Sequence, residues 1–363
     1  MNILKELART LVGGLFIFSG AIKVNDPVGT AIKLEEYFQV FSDDITPLFD
    51  LFVPYALFLA VFLSVLEVVL GVALLVGFKN KINLWILLGL ITFFTFLTFY
   101  SAFFNKVTDC GCFGDAIKLT PWQSFYKDII LIVLIIFLFI YRNSLAQYTS
   151  EKLGMAVTLA STVVFVSLSV IAIANLPFID FRSYAVGKDI PKLMQPSGEL
   201  KYAYVMENNG VEEEFNEFKP APYKFIELKI LNPEVEPKIA DFAVYDEDGN
   251  DFTNEILNGD QLLFIFHNVE SASLKNIEKF SNLIKASKKT ENKALTSSGY
   301  KDFEKFRHIH QMALKAYFVD ATVLKTMIRS NPGIIFLRDG VVMGKWHYNN
   351  TPSLDELEKL LDT

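Results

Sequence analysis

The chain has 363 residues, of which 52% are hydrophobic, and its mean hydropathy of +0.32 is unusual for a soluble globular protein. Its formal net charge of -7 and sequence pI of about 5.3 indicate no basic surface of the kind that binds nucleic acid. The sequence also lacks the G-x-G-x-x-G spacing of dinucleotide-binding loops, which argues against NAD or a Rossmann-bound flavin.

Almost all of the apolar excess lies in the first half, where five stretches approach the length of about 20 residues that a membrane-spanning helix needs. They cover residues 8–22, 52–78, 82–104, 129–141 and 155–178. The fourth is short and must extend into the flanking residues 122–127. No small-residue cleavage site follows the first stretch, so we interpret it as a retained helix. The sequence therefore predicts a four-helix membrane bundle and a fifth transmembrane helix.

The positions of lysine and arginine predict how these helices are oriented, because short cytoplasmic loops carry an excess of both residues. Basic residues lie before the first helix, between the second and third, and between the fourth and fifth: Lys5, Arg9, Lys79, Lys81, Arg142 and Lys152. The link between the first and second helices is acidic instead. We therefore expect a multi-pass protein of the inner, cytoplasmic membrane, with a cytoplasmic amino terminus and a periplasm-facing soluble domain.

The two cysteines of the chain, Cys110 and Cys112, lie in one polar loop, residues 109–115, between the third and fourth stretches. The predicted topology puts this loop on the oxidising side, where disulfides persist. Two cysteines separated by one residue can close a strained ring, which is easily reduced and adds little stability because its loop is short. We favour redox activity over a structural role, and we predict no metal site because a closed zinc site needs four ligands.

Glu67 is the other unusual residue of the membrane half, because it lies near the middle of an apolar stretch. Ionisable groups there are costly and often mark a proton or substrate path. Glu67 either handles protons beside a thiol or quinone, or pairs with Arg9 or Lys23 and orients the bundle, and both interpretations remain open. Close helix packing is predicted for three glycines of the first helix: Gly13, Gly14 and Gly20. Aromatic side chains crowd the third helix, where we expect most of them to face lipid rather than line a quinone pocket.

The second half is polar and mixes strand and helix patterns. Residues 180–239 are rich in proline and contain short β-type runs at 201–206 and 223–231, which predict a strand-rich connector. From residue 240 onward we predict strands at 241–245, 262–266, 293–296, 333–337 and 341–346, and helices at 274–286, 300–310, 321–329 and 353–361. A βαβ unit followed by an antiparallel hairpin and a closing helix is typical of the α/β thioredoxin order.

Residues 328–346, with the sequence Ile-Arg-Ser-Asn-Pro-Gly-Ile-Ile-Phe-Leu-Arg-Asp-Gly-Val-Val-Met-Gly-Lys-Trp, resemble the cis-proline loop and hairpin of the thioredoxin superfamily, particularly its membrane-tethered extracytoplasmic members. By that resemblance Pro332 is a cis proline. The Cys-x-x-Cys of the family should follow residue 266, but this chain has His267 there and no thiol, and we expect His267 to be structural. The domain would hold a partner without exchanging disulfides itself. The expected partner-binding residues are Asn331, Pro332, Glu270 and Ser271.

Residues 2–141 resemble the DoxX and MauE-like membrane family. The resemblance rests on the Cys-Gly-Cys-Phe-Gly sequence of the cysteine loop, on Glu67 and Gly71, and on residues of the first helix and its exit: Arg9, Gly13, Gly14, Phe16, Ser19, Gly20, Lys23 and Pro27. It implies a four-helix membrane domain linked to redox or thiol chemistry, in some members to quinones or to disulfide formation in a partner.

The sequence thus predicts a DoxX/MauE-like membrane domain at residues 1–145, a fifth transmembrane helix at 146–179, a connector at 180–239 and a thioredoxin-like domain at 240–363. We expect a thiol–disulfide or quinone-linked oxidoreductase that exchanges electrons between a cell-envelope partner and the Cys110–Cys112 pair, with a quinone as the candidate further acceptor. The alternative is a non-enzymatic envelope binding or assembly protein, whose thioredoxin-like domain holds a partner. The first function requires the two cysteines to cycle, whereas the second tolerates their loss.

Overall fold

The computed structural model describes residues 2–107, 111–208, 210–287 and 292–362. The chain divides into two compact units, Met1–Phe181 and Arg182–Thr363. The first unit is helical, and the second combines two β-sheets with short helices. The predicted fold class, a membrane helical region followed by an α/β region, is therefore confirmed.

Six helices longer than two turns form the described part of the first unit. They are α1 (Asn2–Asn25), α2 (Pro27–Asp44), α3 (Ala56–Val76), α4 (Asn80–Phe104), α5 (Pro121–Ile140) and α6 (Glu151–Ala174). A 3₁₀ segment, Pro47–Tyr55, leads into α3 and forms one apolar stretch with it. That stretch and the helices α1, α4, α5 and α6 are long and apolar enough to cross a membrane, which confirms the five predicted spans. The protein is a multi-pass membrane protein.

Helix α5 shows how the shortest predicted span reaches its full length. Its first residue is Pro121, well before the apolar run begins, and Thr120 is the N-cap. The Thr120 hydroxyl accepts a hydrogen bond from the Gln123 backbone N–H at 3.3 Å, and the Thr120 N–H donates to the Gln123 side chain at 3.0 Å. This reciprocal capping box fixes the start of the helix in the polar flank, so the helix includes residues 122–127, as predicted.

Helix α2 lies in the acidic link between the first and second spans, for which no helix was predicted. Asp26 caps its first turn by accepting a hydrogen bond from the Gly29 N–H at 2.8 Å, and Pro27 occupies the first helical position. One face of α2 is buried, at Ala31, Leu34, Tyr37 and Phe41. The helix is amphipathic and is not among the candidate membrane spans of the described chain.

Helices α1 and α3 cross at small residues. A Cβ atom at Gly71 would lie 2.7 Å from the Gly13 carbonyl oxygen, and one at Gly20 would lie 2.7 Å from the Ser64 carbonyl oxygen. Gly14 differs, because a Cβ atom there would meet no atom within 4 Å. The predicted close packing therefore holds for Gly13 and Gly20 and is wrong for Gly14. Side chains from α1, α3, α4 and α5 then share one apolar core.

The second unit begins with a short helix and a small antiparallel sheet. Helix α7 spans Ile190–Leu193, and the strands are β1 (Tyr202–Asn208), β2 (Val211–Phe215) and β3 (Lys224–Ile230). The spatial order is β2-β1-β3, with both neighbours antiparallel to β1. The two β-type runs predicted for this region correspond to β1 and β3.

A larger sheet follows in the order β6-β5-β4-β7-β8. Its strands are β4 (Asp260–Phe266), β5 (Asn292–Thr296), β6 (Lys315–Phe318), β7 (Gly333–Arg338) and β8 (Val341–His347). Its helices are α8 (Thr253–Leu257), α9 (Ile277–Ala286), α10 (Tyr300–Ile309), α11 (Ala321–Met327) and α12 (Leu354–Asp362). Strands β4, β5 and β6 are parallel, whereas β7 is antiparallel to β4 and to β8.

The elements of the larger sheet and its helices agree with the predicted order except at three places. The short helix α8 and the four-residue strand β6 were not predicted. Residues 241–245 were predicted to be a strand, but this described stretch forms only isolated bridges, at Tyr245. The Asn331–Pro332 peptide bond is cis, as the resemblance implied. The strand β4 lies at the centre of the sheet and is fully buried from Leu262 to Phe266.

Candidate functional site

The cysteine loop forms one wall of a cavity inside the first unit. Gly111, Cys112 and Phe113 line it together with side chains from α1, α2, α3, α4 and α5. Cys110, the other predicted redox residue, lies outside the described residues. The cavity has a volume of about 80 Å³, which is room for several waters or part of a small ligand. Most of its wall is apolar, from residues such as Leu15, Leu63 and Ile91.

Glu67 lines the cavity and forms an ion pair with Lys23. Its Oε1 atom lies 2.5 Å from the Lys23 Nζ, and the two side chains are 2% and 10% exposed. The ammonium group also lies 4.7 Å from the centre of the Phe94 ring, a cation–π distance. A charge in an apolar interior is stable only when it is paired and hydrogen-bonded, so Glu67 and Lys23 depend on each other for their burial.

Hydrogen bonds connect this ion pair to the cysteine loop. Lys23 donates to the Ser19 Oγ at 3.2 Å, and the Ser19 hydroxyl donates to the Cys112 carbonyl oxygen at 2.9 Å. The buried carboxylate of α3 is thereby joined through Lys23 and Ser19 of α1 to the backbone of the cysteine loop. The sequence predicted Glu67 and the cysteine loop as separate features, and the structure brings them to one cavity.

Arg9, the other predicted partner of Glu67, lies at the carboxyl-terminal end of α3, two turns away from Glu67 along the helix. Its guanidinium donates hydrogen bonds to the carbonyl oxygens of Leu74 at 2.6 Å, Leu75 at 3.0 Å and Ala146 at 2.8 Å. These carbonyls include the unsatisfied end of α3, where a cation is favourable. Pairing of Arg9 with Glu67 is therefore wrong, and Lys23 is the partner.

A second buried carboxylate, Asp128, also lines the cavity and was not predicted. Its Oδ1 lies 2.7 Å from the Lys127 Nζ, and its Oδ2 accepts a hydrogen bond from the Thr98 hydroxyl at 2.9 Å. Asp128 is 1% exposed, although it lies next to residues expected at the membrane surface. The sequence signal was an acidic residue directly before the apolar run of the fourth span, and no role was predicted for it.

The aromatic residues of α4 lie in three different environments. Phe94 lines the cavity. The larger group is exposed on the surface of the unit, as expected for lipid-facing side chains: Phe93, Phe96, Phe99, Phe103 and Phe104. Tyr100 is buried and donates a hydrogen bond to Asp44 of α2. The cavity wall therefore takes few aromatic side chains from this helix.

The predicted partner-binding residues of the second unit lie together at one end of the larger sheet. The Asn331 side chain donates to the Asn268 carbonyl at 2.8 Å and to the Ser271 Oγ at 3.2 Å. The Asn331 carbonyl accepts a hydrogen bond from the Ser273 N–H at 2.8 Å. Glu270 and Ser271 are exposed in this loop, whereas Pro332 is buried. The Asn331 contacts thus tie residues 267–273 to the cis-proline loop.

His267 begins that loop, and its backbone is hydrogen-bonded to the cis-proline loop. Its N–H donates to the Asn331 Oδ1 at 3.1 Å. Burial of the imidazole lowers the pKa of His267 from 6.5 to about 4. A hydrogen bond to the Ile328 backbone acts in the opposite direction but is the weaker effect. The side chain is therefore neutral at pH 7. His347 at the end of β8 is also buried, and burial lowers its pKa to about 4.

Comparison with known proteins supports the membrane part of these assignments. Residues 1–141 match the family model described as methylamine utilisation protein MauE, and this range contains the helices α1 to α5 that surround the cavity. The chain is also similar to Protein TlpB of Flavobacterium psychrophilum, with 29% identity over 164 residues. That match covers 43% of this chain and 41% of the relative, so the chain spans less than half of the relative's length. No solved structure matches the chain.

Proposed function

We propose that this membrane protein is a thiol–disulfide redox protein, in which the Cys110–Cys112 pair exchanges electrons with a cell-envelope protein and passes them to a quinone. The observation that carries this proposal is the cavity beside Cys112, which combines apolar walls with the buried ion pair of Lys23 and Glu67 and the part-buried pair of Lys127 and Asp128. Most ligand cavities have this composition, a largely apolar surface with a few convergent polar groups. The match of residues 1–141 to the MauE family supports the assignment of the redox role to this half.

A quinone fits the chemistry of the cavity. It is a flat, neutral and apolar molecule whose carbonyl oxygens accept hydrogen bonds. Lys23 and Lys127 are donors on the cavity wall, and Leu15, Leu63 and Ile91 provide apolar contact. The two ion pairs also offer groups that can take up and release protons as the quinone is reduced.

The proposed reaction conserves electrons and protons. A partner thiolate attacks one sulfur of the Cys110–Cys112 disulfide, a new S–S bond forms, and the electron pair of the broken bond stays on the other cysteine as a thiolate. A second partner thiolate attacks the mixed disulfide, which leaves the partner oxidised and both cysteines as thiolates, and these take up the two protons that the partner thiols gave up. The dithiol then gives two electrons and two protons to the quinone, which becomes a quinol, and the disulfide re-forms.

The second unit has the role of holding the partner protein. Its larger sheet has the element order expected of a thioredoxin-like domain, and this supports that part of the proposal. The chain has no cysteine after Cys112, so the unit cannot exchange disulfides itself. The exposed loop at Glu270 and Ser271, fixed by Asn331, is the proposed contact surface.

The redox state of the two cysteines tests this function. We expect the pair to be oxidised in cells with a quinone pool and to become reduced when the pool is depleted. Under mild oxidation, a Cys112→Ala variant should accumulate a mixed disulfide with a partner, and the Cys110→Ala/Cys112→Ala variant provides the control without thiols. The proposal would be contradicted if quinone depletion left the redox state of the two cysteines unchanged and the Cys112→Ala variant formed no mixed disulfide. That result would favour the alternative function, a non-enzymatic binding or assembly protein.

A further inference from the structure

One face of helix α1 packs against three consecutive residues of the cysteine loop, 112–114. The centres of the Phe18 and Phe113 rings are 5.5 Å apart. A Cβ atom at Gly114 would lie 3.3 Å from the Ile22 Cγ2, so this side chain packs on the loop backbone. Because residues four positions apart lie on one side of a helix, both apolar contacts come from the same face of α1.

Ser19 lies between these two residues of α1 and adds a hydrogen bond to the loop. Its hydroxyl donates to the Cys112 carbonyl oxygen at 2.9 Å. Both residues line the cavity, so the contact lies in the wall against which a bound ligand would pack. Apolar contacts are not directional, whereas a hydrogen bond requires a defined distance and angle. Ser19 therefore sets the position of the Cys112 backbone relative to α1.

The neighbouring ion pair determines where the Ser19 hydroxyl points. A serine hydroxyl has one hydrogen to donate and can also accept, whereas a lysine ammonium can only donate. The Lys23 Nζ lies 3.2 Å from the Ser19 Oγ, so the oxygen accepts there and its hydrogen is left for the Cys112 carbonyl. Glu67 holds this ammonium at 2.5 Å. A hydroxyl that accepts from a cation is polarised and donates more strongly, so the ion pair strengthens the contact with the loop.

We propose that Ser19 is a positioning residue that holds Cys112 in the cavity wall while the disulfide re-forms. The inference rests on the proposed function, in which a quinone in this cavity oxidises the dithiol. Ser19 exchanges no proton or electron in that step and acts only through the Cys112 backbone. Reaction rates between held groups depend steeply on their geometry, so a loop that has lost this contact should react more slowly with the same ligand.

Oxidation kinetics test the assignment, with the reduced full chain in lipid nanodiscs and a short-chain quinone as the oxidant. We expect Ser19→Ala to lower the maximum rate of disulfide formation about threefold to tenfold, the change that the loss of one hydrogen bond produces. The half-saturating quinone concentration should stay unchanged, because the other cavity walls still hold the ligand. Ser19→Thr keeps the hydroxyl and should keep the wild-type rate.

Hydrogen–deuterium exchange provides a readout that needs no quinone. In the oxidised protein, a peptide that contains residues 111–115 should exchange faster in Ser19→Ala than in the wild type or in Ser19→Thr. Ser64→Ala is the matched control at the crossing of α1 and α3, because it removes a serine hydroxyl that donates to the Ala60 carbonyl of its own helix at 2.6 Å. This control should change neither the exchange of the loop nor the oxidation rate.

Three results would overturn the inference: a loop that exchanges at the wild-type rate in Ser19→Ala, equal effects of Ser19→Ala and Ser64→Ala, or a higher half-saturating concentration at an unchanged maximum rate. The last result would mean that Ser19 binds the ligand itself. If the loop exchanges as expected but the wild type does not react with the quinone, Ser19 holds the loop and the proposed function fails. If the wild type reacts and Ser19→Ala reacts at the same rate, the proposed function stands and the inference fails.

Discussion

The buried pair of Lys23 and Glu67 stabilises the helix bundle and, in the proposed function, also takes part in the chemistry at the cavity. The two atoms that join them are 2.5 Å apart, and removal of either side chain would leave the other charge without its partner inside the bundle. Breaking a buried pair is strongly destabilising, whereas replacing both members by apolar residues of similar volume is often neutral or stabilising. The two roles can therefore be separated by comparing single and double variants.

We expect Glu67→Gln to lower the melting temperature, because Lys23 then stays buried and charged; breaking buried pairs costs about 3–5 kcal/mol. The Lys23→Met/Glu67→Met variant should melt near the wild-type temperature. Both variants should re-form the Cys110–Cys112 disulfide more slowly with a soluble quinone, measured by loss of free thiol. If the double variant is stable and re-forms the disulfide at the wild-type rate, the ion pair only orients the helices and has no part in the reaction.

His267 predicts a pH dependence of stability in the second unit. Its pKa is about 4 in the folded protein against 6.5 for the ordinary group, so above pH 6.5 the side chain is neutral in both folded and unfolded chains. As the pH falls from 6.5 to 4, only the unfolded chain gains the proton, and stability decreases by roughly 3 kcal/mol. Below pH 4 both states are protonated and this loss is complete.

Urea unfolding at pH 7 and pH 5 measures this effect, with the fluorescence of Trp346 as the probe in a Trp85→Phe/Trp122→Phe chain. We expect His267→Gln to reduce the difference in unfolding free energy between the two pH values. His308→Gln, at a side chain that is 72% exposed, is the matched control. If the two variants change the difference equally, His267 is not the group responsible.

At the scale of elements, the sequence predicted the five apolar spans and four helices of the second unit (α9, α10, α11 and α12), but it did not predict the amphipathic helix α2. Hydropathy alone identified the five spans, because about 20 apolar residues in a row have few other interpretations. Helix α2 was missed, although Asp26 followed by Pro27 is a start signal for a helix. Asp128 was missed because its burial depends on which face α5 turns to the cavity. The choice of Lys23 over Arg9 as the partner of Glu67 depends on the register of α1 against α3, which no local pattern contains.

The crossing of α1 and α3 gives a prediction with an internal control. At Gly71 an added methyl would overlap the Gly13 carbonyl oxygen at 2.7 Å and the Ile17 Cγ1 at 2.8 Å, so the helices would have to move apart. We expect Gly71→Ala to destabilise the protein by about 1–3 kcal/mol, as overpacking usually does. Gly14→Ala meets no atom within 4 Å and should be neutral or slightly stabilising, because alanine favours helices. Thermal unfolding in detergent compares the two, and equal melting temperatures would contradict this packing argument.

For the first unit as a whole, contacts between distant segments group its loops at two ends. Lys5 donates to the Ser144 Oγ at 3.1 Å, and Lys79 pairs with Glu151, which brings the basic loops together. At the other end, Ser19 contacts Cys112 at 2.9 Å, and the Asn25 side chain donates to the Ile179 carbonyl at 2.8 Å. The basic loops and the cysteine loop therefore lie at opposite ends of α1, as five alternating spans require.

We predict that the basic end is cytoplasmic, because lysine and arginine are retained on that side, and that the cysteine loop is extracytoplasmic. Two exposed lysines give matched labelling sites in a chain with both cysteines replaced by serine: Lys118→Cys, three residues after the cysteine loop, and Lys81→Cys in the first turn of α4. A membrane-impermeant maleimide should label Lys118→Cys in intact spheroplasts and Lys81→Cys only after permeabilisation. The reverse pattern would put the cysteine pair in a reducing compartment, where a disulfide cycle with an envelope partner could not operate.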